Sequence, residues 1–200
     1  MYSSLIRNHR SLPIAAFIVV LGLAQFANSD DQLQDKSKSM SHTELFSKLA
    51  GSWQGTCRTW FQPGKLADES TVEGTFSPVL DGRFLRHVYT GKMKGQARNG
   101  EELIGFNTIT KSYQVTWIDS FHMNYAIMFS QGEQAERGFT VTAKYDVAEN
   151  QPPWRWKTVL TLTDEDHVVI TAYNITPGGQ EAKAVETKYV RVRENSGAAK

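Results

Sequence analysis

One cysteine in 200 residues leaves this chain unable to form an internal disulfide. Its stability therefore rests on an apolar core and on backbone hydrogen bonds. Neither sign of charge is in excess: 22 Lys and Arg face 21 Asp and Glu, a formal net charge of +1. With no basic stripe and no charge block, nucleic acid is not an expected partner. The longest apolar run, Ile14 to Ala24, has eleven residues, short of the about 20 that span a membrane as a helix. Standard catalytic signatures are missing too. There is no Gly-x-Ser-x-Gly elbow, no His-Glu-x-x-His, no Cys-x-x-Cys and no phosphate-binding glycine loop.

What is present begins with an export signal. Arg7 and Arg10 precede the apolar run, and Ala27-Asn28-Ser29 puts small residues at the −3 and −1 places of a cleavage site before Asp30. Residues 1–29 read as a signal peptide, 30–40 as a flexible polar linker, 41–195 as one domain and 196–200 as a disordered tail. The competing reading, an uncleaved anchor helix, fits less well, because the run is short and Gln25 and Asn28 follow at once. The expected destination is periplasmic or secreted, with no membrane span after cleavage. No cysteine lies near the site, which excludes a bacterial lipid anchor. Cleavage leaves 20 basic against 21 acidic residues. In an oxidising compartment the lone thiol, Cys57, survives best if buried.

A helix start follows. Ser41 and Glu44 form a capping box, Leu45, Phe46 and Leu49 form one apolar stripe, and Gly51 stands where a helix stops. From Trp53 the period changes to two, with Trp53, Gly55, Cys57, Thr59 and Phe61 on one face. Further strands are expected at 70–78, 84–89, 103–107, 113–119, 124–129, 139–145, 154–162, 168–175 and 184–192. Turn signals include Pro63-Gly64, Asp81-Gly82, Asn99-Gly100, Gln131-Gly132, Pro152-Pro153 and Pro177-Gly178-Gly179. About ten strands with no long helical pattern between them indicate an all-β antiparallel hairpin topology.

Several separate blocks, in order, carry a family resemblance. They are Leu49-Ala-Gly-Ser-Trp-Gln-Gly55, Leu80-Asp-Gly-Arg-Phe-Leu85, Gly105-Phe-Asn107, Tyr113-Gln-Val-Thr-Trp-Ile-Asp-Ser120, Pro177-Gly-Gly-Gln-Glu181 and Glu186-Thr-Lys-Tyr-Val-Arg191. Over residues 44–193 the chain resembles the bacterial family known as domain of unknown function 1579. The resemblance implies a closed or nearly closed calycin-like (lipocalin-like) barrel of about ten strands with a short N-terminal helix, and it brings no catalytic or ligand residues. It also implies a structural latch, in which Arg191 (or Arg193) of the last strand covers Trp53 of the first.

The best constellation for chemistry is Trp117, Asp119, His122 and Asn124. An Asp two residues after a buried Trp, with an imidazole beyond the turn, can hold a polar ligand group or poise a general base. The plainer alternative is an Asp that caps a hairpin beside a surface His. His87, His122 and His167 are too scattered to indicate a metal, and no cofactor is expected. The many aromatic residues, Tyr173 among them, suit either a small-molecule cavity or a filled core. Candidate ligand contacts are therefore Trp117, Asp119, His122, Asn124, His87 and Tyr173. Three functions follow: non-covalent binding of a small, partly apolar ligand; a hydrolase or isomerase using an Asp119–His122 dyad; or a solid envelope-interaction barrel. The expected state is a monomer or weak dimer.

Overall fold

The computed structural model describes residues 39–122 and 125–193. The segments read as signal peptide and tail, most of the linker, and Asn124 lie outside the described residues. Met40, at the end of the segment read as linker, is buried, and its amide donates to Glu136 O (2.8 Å).

Ser41 accepts a hydrogen bond from the Glu44 amide (3.2 Å) and caps α1 (His42–Leu49). Leu45, Phe46 and Leu49 fall on one helical face and are buried. Gly51, at φ +125°, turns the chain from helix to strand in a conformation that side chains disfavour. Ten strands follow: β1 (Gly51–Gln62), β2 (Lys65–Val79), β3 (Phe84–Met93), β4 (Gln96–Asn107), β5 (Ser112–Asp119), β6 (Met128–Ala135), β7 (Gly138–Tyr145), β8 (Trp154–Asp164), β9 (His167–Ile175) and β10 (Glu181–Arg191). Each pairs antiparallel with its neighbour in sequence, and β1 pairs with β10, so the sheet closes into a barrel. The seam runs in register from Trp53 opposite Arg191 to Thr59 opposite Val185. Closure leaves no free sheet edge. Alternation sets the two faces: in β3, Leu85, His87 and Tyr89 are buried between exposed Phe84, Arg86 and Val88. No helix among the described residues is long and apolar enough to cross a membrane.

Three local expectations are corrected. Asn99-Gly100 lies inside β4; the turn is Lys94-Gly95, with φ of 49° and 80°. Gly100 is there for packing, since a Cβ would sit 2.2 Å from the Tyr89 ring. Likewise Gln131-Gly132 is inside β6, where a Cβ on Gly132 would lie 2.1 Å from Thr140 O. The strand expected at 124–129 accordingly begins at Met128 and continues to Ala135. Finally, Phe61 does not follow Thr59 inward. The pairing with β2 shifts at Thr59/Trp60, and Phe61 emerges half-exposed with its ring against Phe121.

The helix seals one end. Its buried side chains join Trp53, Phe76, Tyr113 and Phe139 in the core. The Arg191 guanidinium carbon lies 4.1 Å from the Trp53 ring centroid. The contact does more than stack a cation on an indole. Arg191 NH1 donates to Ala50 O (2.9 Å), NH2 to Lys48 O and Nε to Glu165 O (3.0 Å), while Trp53 Nε1 donates to Leu49 O (2.8 Å). Carbonyls at the helix C-terminus that have no intrahelical donor thus receive donors from β1 and β10. Arg193 does not reach the indole; it pairs with the Asp166 carboxylate, which also lies 3.7 Å from Arg191 Nε.

Candidate functional site

The opposite end is open. The ends of β1, β5, β7 and β9 and the starts of β8 and β10 enclose a vestibule of about 300 Å³. Thr59, Trp60, Phe61, His122, Tyr145 and Asn174 are on its walls. Below it lies a cavity with about 60 Å³ in which the centre of a water molecule can sit. Trp117, Trp156 and Val185 border both spaces. The two indoles stack with centroids 5.5 Å apart and planes at 20°, and the His122 ring lies tilted 5.5 Å from one and 6.0 Å from the other. The barrel interior is therefore partly filled, with its aromatic bulk concentrated where the two spaces meet.

Asp119 organises this end. Its side chain is fully buried. Oδ1 accepts from the Phe121 amide (2.6 Å) and the His122 amide (2.9 Å), and His122 Nδ1 stands 3.2 Å away. Oδ2 accepts from Tyr89 Oη (2.5 Å) and Arg98 Nε (3.2 Å). Burial alone would raise the carboxyl, but hydrogen bonds from His122 and Tyr89 and the nearby positive charges hold it well below the usual carboxylate range. An ionised Asp119 favours the His122 tautomer protonated at Nδ1, leaving Nε2 as the free nitrogen. Trp117 Nε1 donates to Tyr89 Oη (3.0 Å), which ties the indole into the same network. Burial pushes the Tyr89 phenol well above its ordinary value, so it is neutral. Arg98 NH1 donates to Cys57 Sγ (3.3 Å), and that thiol is buried.

Deeper in the cavity, His87 Nδ1 lies 2.7 Å from Glu102 Oε2 and Nε2 lies 3.3 Å from Tyr189 Oη. The His87 ring is sandwiched flat on Phe76, with centroids 4.0 Å apart and planes at 5°. His87, Glu102, Trp117 and Met128 are successive register partners across β3, β4, β5 and β6, so they form one row.

Of the residues singled out from sequence, Trp117, Asp119 and His122 converge at the boundary of vestibule and cavity, and His87 is in the cavity wall. Asn124 lies outside the described residues. Tyr173 is a correction. It alternates outward on β9, where Lys157 Nζ lies 4.4 Å from its ring centroid on the outer surface. Sequence reasoning missed Arg98 and Glu102, because taking Asn99-Gly100 as a turn removed both from a strand. Period two through Gly100 would have put Arg98, Glu102 and Ile104 on one face. It also missed Thr59, whose buried Oγ1 has no hydrogen-bond partner among the described residues. Among the described residues, no three His, Cys, Asp or Glu side chains gather into a metal-binding group.

Comparison with known proteins agrees with the barrel. Residues 38–191 match the family described as "Protein of unknown function (DUF1579)". No curated protein matches the chain. Among solved structures, the chain is similar to an S-type phycobiliprotein lyase from Guillardia theta. That match has 14% identity and a TM-score of 0.55, and covers 78% of this chain and 95% of the other. A protein of unknown function from the DUF3598 family of Nostoc punctiforme is 8% identical with a TM-score of 0.23, over 76% of this chain and 100% of the other.

Proposed function

This chain belongs to the DUF1579 family, and we propose that its barrel binds a small, partly apolar ligand non-covalently at the open end. One observation carries the reading: a vestibule and an inner cavity share the stacked Trp117–Trp156 pair. Aromatic faces supply apolar area at the boundary of two connected levels, which suits a small, partly apolar guest. We also propose that residues 1–29 direct export, so that binding takes place outside the cytoplasm.

The test is titration with N-phenyl-1-naphthylamine, a neutral apolar fluorophore. Saturable 1:1 binding with quenching of tryptophan emission is expected, since Trp60, Trp117 and Trp156 border the vestibule. Val185→Trp, which fills the shared boundary, should weaken it at least about tenfold, roughly 1.4 kcal/mol. Absence of saturable binding to the folded wild-type protein would overturn the reading. Native mass spectrometry of protein purified from its own host would then identify any bound compound.

A second reading has one specific observation in its favour. Asp119 orients His122 as an acid orients a general base, and the imidazole borders the vestibule. This hydrolase or isomerase reading predicts turnover that disappears in His122→Ala.

A further inference from the structure

We propose that the cavity recognises the polar end of its ligand through Glu102 and that this end is cationic, a protonated amine. The inference rests on the binding reading above and names the class of molecule. Glu102 uses one carboxylate oxygen, Oε2, on His87; among the described residues no group donates to the other, Oε1. The side chain is only 15% exposed and borders the cavity. A carboxylate oxygen that borders a cavity and receives no protein donor is open to an N–H donor of opposite charge, the stronger kind of hydrogen bond.

The surroundings leave little other relief. His87 is fixed by its stack on Phe76 and by Tyr189, so it cannot swing to serve both oxygens. The nearby cation, Arg98, is committed to Asp119 and to the Cys57 sulfur. That ion pair also cancels the charge with which Arg98 would repel a second cation. The rings of Tyr89, Trp117 and Tyr189 border the same cavity. Aromatic faces attract a desolvated ammonium through their quadrupoles, which favours a cation over an anion for a second reason.

Position links this head site to the vestibule. Glu102 is the direct cross-strand partner of Trp117, the indole that borders both spaces. A ligand whose apolar body rests on Trp117 and Trp156 therefore lies against the register neighbour of Glu102. Chemistry at the two levels is complementary: flat apolar contact above, a carboxylate below.

The experiment uses three matched probes that differ only at the end: 4-phenylbutylamine, 4-phenylbutanol and 4-phenylbutyrate. Each is titrated into the wild-type protein and Glu102→Gln by calorimetry at pH 7. The amine should bind wild type at least about tenfold tighter than the alcohol or the acid. In Glu102→Gln the ratio of amine to alcohol affinity should fall to near one. Equal affinities in wild type, or preference for the acid, overturn this proposal, as does an amine preference that survives in Glu102→Gln. If N-phenyl-1-naphthylamine still binds in those cases, the apolar-ligand reading stands without it. Loss of all binding overturns both. Should Glu102→Gln fail to fold, the wild-type ratios alone decide.

Discussion

At the closed end, every nitrogen of the Arg191 guanidinium and the Trp53 indole has a backbone carbonyl to meet. At the open end the buried Thr59 Oγ1 has no partner, and below it Glu102 Oε1, beside the cavity, receives no donor among the described residues. Both ends are built from aromatic rings and an arginine, partly exposed at the closed end (Arg191) and buried at the other (Arg98). The difference lies in what remains unmatched and in whether there is room beside it. Tyr113 Oη, near the closed end, also lacks a partner, but it borders neither the vestibule nor the cavity and packs against Phe139 with ring centroids 4.6 Å apart. Burial pushes that phenol up to about 12, and it remains neutral. An unmatched atom points to binding only where space adjoins it. The closed end thus reads as the part that holds the barrel together, and the open end as the part that remains receptive.

The largest way to break this contrast is Trp53→Ala. Loss of a fully buried indole should cost about 3–5 kcal/mol, read from the urea midpoint, while N-phenyl-1-naphthylamine affinity of the folded fraction stays unchanged. Equal damage to stability and to affinity would merge the two ends. Next comes Asp119→Asn, which leaves buried Arg98 without its counter-charge and should cost about 3 kcal/mol. Here both stability and affinity should fall, because Trp117 and His122 depend on that carboxylate for position.

The same residue gives a pH signature. The Asp119 carboxyl titrates below its unfolded value of about 3.9, so its contribution is complete above about pH 4 and drains away as pH falls below that. Wild-type melting temperature should accordingly drop more steeply in acid than that of Asp119→Asn. Arg191→Lys keeps the charge and loses the planar fork, at a cost of about 1–2 kcal/mol and with no change in affinity. Smallest in stability is His122→Ala, below about 1 kcal/mol, yet it should weaken binding of the fluorophore several-fold. If it altered stability alone, His122 would belong with the structural residues.

Much of the fold could be read from local pattern. Ser41 and Glu44 announce the helix, and alternation in Trp53–Thr59 and Leu85–Tyr89 announces the strands. Glycine was the point of failure. Gly100 and Gly132 have the composition of turns, yet each is small because a ring or a carbonyl occupies the place of its Cβ. That requirement arises only once strands are side by side, so a single sequence carries no trace of it. The same error hid Arg98 and Glu102. Trp117, Asp119 and His122 were legible because they lie within six residues and interact locally. The solitude of Thr59 Oγ1 and Glu102 Oε1 was not, since it depends on five or more strands failing to supply a partner.

The helix carbonyls that Arg191 serves lie up to 143 residues away in the chain. Until β10 docks, β1 has a bare side and α1 has an unanswered C-terminus, so closure of the barrel depends on the last strand. Contacts of such long range slow folding and keep apolar strands exposed meanwhile. Variants shortened before Arg191 should therefore be recovered as aggregates or degradation products, because the wall stays unclosed without the final strand.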